Sequence, residues 1–432
     1  MSKAPSGNAP PPSYSTVLRN RSFLALWLGR TASASGDFVF NLAAVWFILT
    51  STGSLILVSA AFAAIFLPQI LVGPVAGAYV DRWNRRNVLL VTYALQGLLV
   101  GVAGVLYVLH HLGYLLTLAT ILLLEVGHQF TVPAGEAILP GAVPQRELVP
   151  ANGLLSASSS ANSILSTGLG GILVGLLGVA IPFEYDALSF LVGLVVIATL
   201  PAALGRPTVE AEALPESAPA PGLIIELREG AQYLRRDSLL LRLAAVGTLV
   251  SFFAMGLQAL YAPYVQRNLA GGAALYGFYS VSFALGSIAG GMLVGHLGRT
   301  ARTGRLIILG LVGQGVGITL LGLTHLWWVA LLLAAGIGVS QETNSVPWSA
   351  LLQARIPRAK YGRVSTLIGT IINAPTPASV VATAFVAGVL SIGTTYTLYG
   401  LAMLACIAVA AASTRELLSL DVGERSANPT RS

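Results

Sequence analysis

The chain of 432 residues is 55% hydrophobic and only 9% charged, with 24 Lys and Arg against 17 Asp and Glu and a formal net charge of +7. Soluble globular chains carry about 25% charged residues, so this composition argues against an ordinary soluble domain. The basic residues fall between apolar runs, which argues against a nucleic-acid surface as well.

In chain order, residues 1–21 hold Pro5, Pro10, Pro11 and Pro12 without an apolar core, and read as a disordered tail rather than a signal peptide. A bilayer core of about 30 Å needs about 20 apolar residues per helix. Runs of that kind predict spans at about 22–50, 54–80, 87–109, 113–139, 153–178, 183–203, 239–266, 273–297, 304–323, 326–350, 363–389 and 394–414. The fold class expected is an all-α membrane protein: a six-helix bundle over 22–203, a linker over 204–238, a second bundle over 239–414 and a tail over 415–432. The linker opens with a Pro/Glu/Ala stretch. It continues as Leu223–Arg236, where apolar Leu223, Leu227 and Leu234 alternate with charged positions, predicting an amphipathic surface helix. Cys406, the single cysteine, lies inside an apolar run and has no disulfide partner in the chain.

Arg30 lies within span 1 and Arg267 follows span 7; the other 22 of the 24 basic residues fall on the side holding both termini. The positive-inside rule makes that side cytoplasmic, and the assignment requires an even number of spans.

The chain repeats itself. Val132-Pro133-Ala134 near the end of span 4 matches Val346-Pro347-Trp348 near the end of span 10, with the two prolines 214 residues apart. The same offset carries Gly77 to Gly291, each closing a span before a basic loop. Parallel repeats of this kind place a binding site near the membrane midplane, between the halves.

Between spans 2 and 3, Gly77-Ala78-Tyr79-Val80-Asp81-Arg82-Trp83-Asn84-Arg85-Arg86 resembles the signature loop of the major facilitator superfamily, with Asn84 in place of a second glycine. Asn tolerates a left-handed turn. Gly77 would permit close helix approach, and Asp81 would face a helix N-terminus. The resemblance implies that this helix is span 11, near Gly362-Arg363. It also implies that Arg82 and Arg86 pair with Glu136, the carboxylate at the end of span 4, to latch an outward-facing state. The other reading is that these arginines only anchor the positive-inside loop. Leu26-Trp27-x-Gly29-Arg30 followed by Ser35-Gly36-Asp37, together with Ala151-Asn152-Gly153, resembles the branch containing macrolide and enterobactin exporters. The Gly-Pro motif that many such exporters carry in span 5 is replaced here by Gly168-Leu169-Gly170-Gly171.

Ionisable residues inside spans are rare, because a charge at a helix centre costs about 2.5–3.5 kcal/mol on insertion scales. Those that stand out away from the span ends are Arg30 and Asp37 in span 1, Glu125 and His128 in span 4, and Glu342 in span 10, with polar Asn41 one turn beyond Asp37. By the resemblance, spans 1, 4, 7 and 10 line the central cavity, where Asp37, Glu125 and Glu342 would bind a proton or a cationic substrate. Alternatively, Asp37 and Arg30 form a structural pair and His128 is a structural histidine. Phe252, Phe253, Gln258 and Tyr261 suggest an apolar wall for a lipophilic guest, or plain helix packing.

There is no phosphate-binding loop, no metal-ligand spacing and no segment long enough for an enzyme domain. The expectation is a secondary transporter of the bacterial inner membrane, monomeric, with both termini cytoplasmic and no cofactor. Its partners would be a small-molecule substrate, protons and membrane lipids, not nucleic acid. A proton-coupled drug exporter, an exporter of a specific metabolite (a siderophore, or a lysolipid for a flippase) and a non-transporting sensor all remain open.

Overall fold

A computed structural model describes residues 14–206, 232–297 and 302–413, and these contain helices and connecting turns but no strand. The helices are α1 (Tyr14–Leu18), α2 (Arg21–Thr52), α3 (Leu55–Leu71), α4 (Gly73–Arg82), α5 (Arg85–Val108), α6 (Tyr114–Ala142), α7 (Leu148–Leu177) and α8 (Ala180–Ala198). The second half holds α9 (Ser238–Gln258), α10 (Tyr261–Arg267), α11 (Ala273–Leu297), α12 (Thr303–Leu323), α13 (Trp327–Arg355), α14 (Arg358–Asn373), α15 (Thr376–Leu390) and α16 (Ile392–Ser413).

Ten helices among the described residues are long and apolar enough to cross a membrane. The two expected spans outside that set are the broken α3–α4 pair and the polar α13. Proline explains the breaks, because it removes a backbone donor and crowds the preceding turn. Pro68 and Pro74 flank the α3–α4 joint, and Pro375 and Pro377 the α14–α15 joint. Pro263 lies four residues after Ala259 at the α9–α10 joint, so the Ala259 carbonyl gets no helical N–H there.

Caps set the ends. Asn20 accepts from the Ser22 and Phe23 amides at the start of α2, and Gly53 ends that helix in the left-handed region at φ 62°. Asn84 proves to be the N-cap of α5, with φ −68° and its side chain accepting from the Asn87 amide. It is therefore not in the left-handed turn expected of it. The expected tail also shortens: residues 14–18 are helical and Val17 is fully buried. Residues 1–13, the linker through residue 231 and the tail from residue 414 lie outside the described residues.

The helix pairings repeat. α2 packs on α7 and α8, α5 on α6 and α8, and α3 on α6. In the second half α9 packs on α15 and α16, α12 on α13 and α16, and α11 on α13. The halves join through α3 against α15 and α7 against α11, two contacts related by the same repeat.

Among the described residues, the cross-half ring stack, hydrogen bond and glycine crossing lie at the end remote from the termini. A side chain at Gly171 would meet the Gly277 Cα at 2.5 Å, so α7 and α11 cross with their backbones in contact. Trp46 stacks on Tyr276, and Arg267 donates to the Gly53 carbonyl at the end of α2. On the terminus side α4 packs on α6 and α14 on α9, each within its own half. There, among the described residues, no hydrogen bond, ion pair or ring stack crosses between halves. Among the described residues the halves are thus joined at the remote end and not toward their termini.

Candidate functional site

The site forms where α2 and α6 run antiparallel. Arg30, Asp37 and Asn41 lie on one face of α2, and three rungs link that face to α6. Asn41 Nδ2 donates to Glu125 Oε1 at 3.5 Å, a long contact. His128 Nδ1 faces Asp37 Oδ2 at 3.6 Å. Two turns further toward the termini, the Arg30 side chain lies over Gly135, where an added Cβ would meet its Cδ at 3.1 Å. Position numbers in each pair sum to 165 or 166, the signature of an antiparallel register. Asp37 thus pairs with His128 and not with Arg30; the expected Arg30–Asp37 pair is not made. Two turns of helix separate those residues, and His128 on the neighbouring helix is nearer.

A third carboxyl group was not anticipated. Asp186 of α8 is completely buried against Gly36, the neighbour of Asp37. The Ser189 hydroxyl donates to Asp186 Oδ1 at 3.1 Å, while Oδ2 is buried without a partner. Gly36 is required here, because any side chain would occupy the space of Asp186 and Ser189. The reading of span 6 from residue 183 placed Asp186 at its mouth, whereas α8 begins at Ala180. The signal was available: Phe183, Asp186, Phe190, Gly193 and Ile197 follow helical spacing, and all are buried.

A chain of hydroxyls braces the same turn. Ser35 bonds both Ser166 and Tyr185 at 2.8 Å, Ser166 donates to Asn162 at 3.0 Å, and Asn162 donates to the Thr31 carbonyl at 3.0 Å. These bonds tie α2, α7 and α8 together around the acidic group.

Two polar cavities lie beside it along α2, and the first of them reaches His128. One of about 260 Å³ is lined by Arg30, Ser33, Tyr93, His128, Ser158 and Asn162. A second, about 520 Å³, is lined by Arg30, Glu136, Asn152, Ser156, Ser159 and Ser160. A larger cavity, about 930 Å³, is an apolar groove between α5 and α6 bordered by Trp83, and no ionisable residue lines it. Exposed Leu95, Leu98, Val102 and Leu123 along it mark it as a membrane-facing groove.

Other expected residues stand apart. Glu342 accepts from Ser345 on its own helix at 2.8 Å and has no contact with the acidic group. Arg86 donates to the Ala198 carbonyl at the end of α8 at 2.7 Å rather than to Glu136. Arg82 is exposed, and it makes no ion pair with Glu136. Space around Gly77 is open, with nothing within 4 Å of an added Cβ. The expected Arg82/Arg86–Glu136 latch and close approach at Gly77 are therefore not formed here, because the terminus-side ends of the halves are apart. The Asp81, Gly362 and Arg363 side chains lie outside the described residues. Of the expected aromatic wall, Phe253 packs edge-on to Tyr399 inside its own bundle, at 5.2 Å between centroids. Gln258 and Tyr261 instead line a cavity of about 100 Å³.

Known proteins carry the same organisation. The chain is 25% identical over 408 residues to macrolide efflux protein A of Streptococcus pyogenes, covering 93% of this chain and 97% of that protein. It is 28% identical over 300 residues to the enterobactin exporter EntS of Escherichia coli O81 (strain ED1a), covering 68% of each. The crystal structure of the nucleoside transporter NupG superposes with a TM-score of 0.69 at 11% identity, over 91% of this chain and 98% of that one. The Major Facilitator Superfamily profile matches residues 26–376. With its apolar helices, its paired bundles and that match, this chain is a multi-pass membrane transporter belonging to the Major Facilitator Superfamily.

Proposed function

We propose that the protein is a proton-coupled exporter of small lipophilic or cationic compounds in a bacterial inner membrane, with its termini in the cytoplasm, working as a monomer by alternating access. The observation that carries this reading is the Asp37–His128 pair beside Glu125, with His128 on the wall of a polar cavity that Arg30 also lines. A carboxylate facing an imidazole at 3.6 Å offers neighbouring groups that can each take up a proton, and a cation arriving beside the carboxylate would displace its proton to water. Opening of the terminus side loads substrate from the cytoplasm; closure around the arginine-rich loop and opening at the Gly171–Gly277 crossing release it outside. The efflux activity named for the similar streptococcal protein supports the direction.

The resemblance to an enterobactin exporter favours a second reading, export of one specific metabolite. The test is an efflux panel in a pump-deficient host, across external pH, comparing wild type with Asp37→Asn and Glu125→Gln. Loss of uphill export in both variants supports proton coupling through this pair. Export equal to wild type at every pH overturns it. Efflux of a single compound class from the whole panel selects the metabolite reading.

A further inference from the structure

Arg30 is a cation within a membrane helix, and such a group needs a counter-charge or a task. Its nearest acidic candidates are otherwise placed. Asp37 faces His128. Glu136 borders the same cavity, yet forms no ion pair with Arg30 within 4 Å among the described residues. No described residue hydrogen-bonds the guanidinium either. The side chain crosses above Gly135, and the absence of a Cβ there leaves it room to reach the point where the two polar cavities meet.

Opposite it stands α7. Ser156, Ser159 and Ser160 share one face of that helix at spacings of three and four, and all three line the lower cavity. Their hydroxyls are not engaged by other described side chains. By contrast, Ser158 is held by the Trp27 indole N–H at 2.7 Å, and Asn162 is held by Thr31 and Ser166. The cavity therefore offers one planar fork of N–H donors and a row of free hydroxyls, the donor set that matches an oxyanion.

We propose that Arg30 and the serine face of α7 form a subsite for an oxyanion, such as a carboxylate, phenolate or phosphate group carried by the transported molecule. The inference deepens the reading above and rests on it for the site's role in transport. It narrows the substrate class to molecules carrying an oxyanion as well as an apolar or cationic part. Arg30 and Asp37 are seven residues apart on one helix, so the two ends of the substrate sit about 10 Å apart along the axis.

The test uses the full chain in phosphatidylcholine nanodiscs and three probes that share one ring system but differ in charge: 2-naphthoate, 2-naphthalenemethanol and (2-naphthylmethyl)trimethylammonium. Calorimetry should show naphthoate binding more tightly than the alcohol. Arg30→Gln should weaken naphthoate about tenfold while leaving the ammonium probe bound, which also shows that the variant is folded. Arg30→Lys should retain part of the naphthoate preference, and Glu136→Gln should strengthen it by removing a competing anion. Asp37→Asn should weaken the ammonium probe alone; failure there counts against the proton- and cation-binding reading, not against this one. Equal binding of naphthoate and the alcohol by wild type, or unchanged naphthoate binding by Arg30→Gln, overturns the subsite. A further arm adds phosphatidylglycerol to the discs. Displacement of naphthoate by it assigns the oxyanion to a lipid headgroup, and no displacement assigns it to a soluble molecule.

Discussion

The two bundles share their helix pairings but not their chemistry. In the first, α2, α6 and α8 bring Asp37, Glu125, His128 and Asp186 to neighbouring turns, with Arg30 below them. In the second, the 214-residue offset carries Asp37 to Ser251 and Glu125 to Val339 and leaves a carboxylate only opposite His128, at Glu342; a cavity of about 100 Å³ nearby is lined by Gln258, Gln314, Gln341, Tyr261 and Tyr279. Each bundle is nonetheless anchored the same way at its terminus-side end. Asn20 caps α2 and donates to the Ala142 carbonyl at the end of α6 at 2.7 Å; Asp237 caps α9 and holds Arg355 at the end of α13. The scaffold needs the pairings and the anchors. It does not need buried charge, which is costly in a membrane, so the asymmetry belongs to function.

The strongest way to break this comparison is to neutralise carboxylates in each half. Asp37→Asn should abolish uphill transport while downhill exchange persists, and Glu342→Gln, bonded only within its own helix, should leave transport within a few-fold of wild type. Reconstituted liposomes with an imposed pH gradient measure both. Equal losses in the two variants would show that the second half carries proton chemistry after all.

Next in size is the crossing of α7 and α11. Gly171→Leu forces a side chain into the Gly277 backbone, and overpacking of that kind costs about 1–3 kcal/mol. Only the conformation closed at the remote end bears the cost, so the population shifts toward the other conformation. With Cys406 replaced by Ser, the thiol of a Ser159→Cys variant should react more slowly with an impermeant maleimide from the terminus side when Gly171→Leu is present. Unchanged reactivity would mean that the crossing does not hold the closed end.

Arg267→Ala probes the same end more gently. The guanidinium reaches the Gly53 carbonyl at the C-terminal end of α2, where a cation also meets the negative end of the helix dipole. Removing it should shift the same reactivity in the same direction by about 0.3–1 kcal/mol, and less in high salt.

Hydropathy, positional charge bias and the repeated prolines made the span order, the tandem halves and the family resemblance legible in the chain, because each is a property of composition along one dimension. What escaped was three-dimensional. Whether Asp37 met Arg30 or His128 depended on the α2–α6 register, which no single helix encodes. Asp186 looked like a boundary residue because α8 begins three residues earlier than expected. The latch residues Arg82, Arg86 and Glu136 describe a state closed on the terminus side, whereas this structure is closed at the opposite end. Asn84 suggested a left-handed turn from its likeness to glycine, but its other habit, capping a helix, prevailed.

The last comparison tests the anchors, through the stability of the fold rather than through transport. Asp237 accepts from the Leu239 and Leu240 amides at 3.2 Å, and from Arg355 Nε at 2.6 Å and Nη2 at 3.2 Å. Burial alone would raise its carboxyl, but the Arg355 and Leu240 hydrogen bonds outweigh it and hold the group below the ordinary carboxylate range. A carboxyl lowered on folding stabilises the fold above its unfolded value of about 3.9, and that contribution fades as pH falls through the folded value. Asp237→Ala should therefore lower stability by about 1 kcal/mol at neutral pH, the usual worth of an N-cap, with the difference from wild type shrinking below pH of about 4. Asn20→Ala should cost a similar amount with no such pH dependence, because its amide does not titrate. Thermal unfolding in detergent at pH 7 and in acid compares the pair. A pH-independent loss at Asp237 would mean that its negative charge plays no part in joining α9 to α13, and that the two anchors are equivalent in chemistry as well as in place.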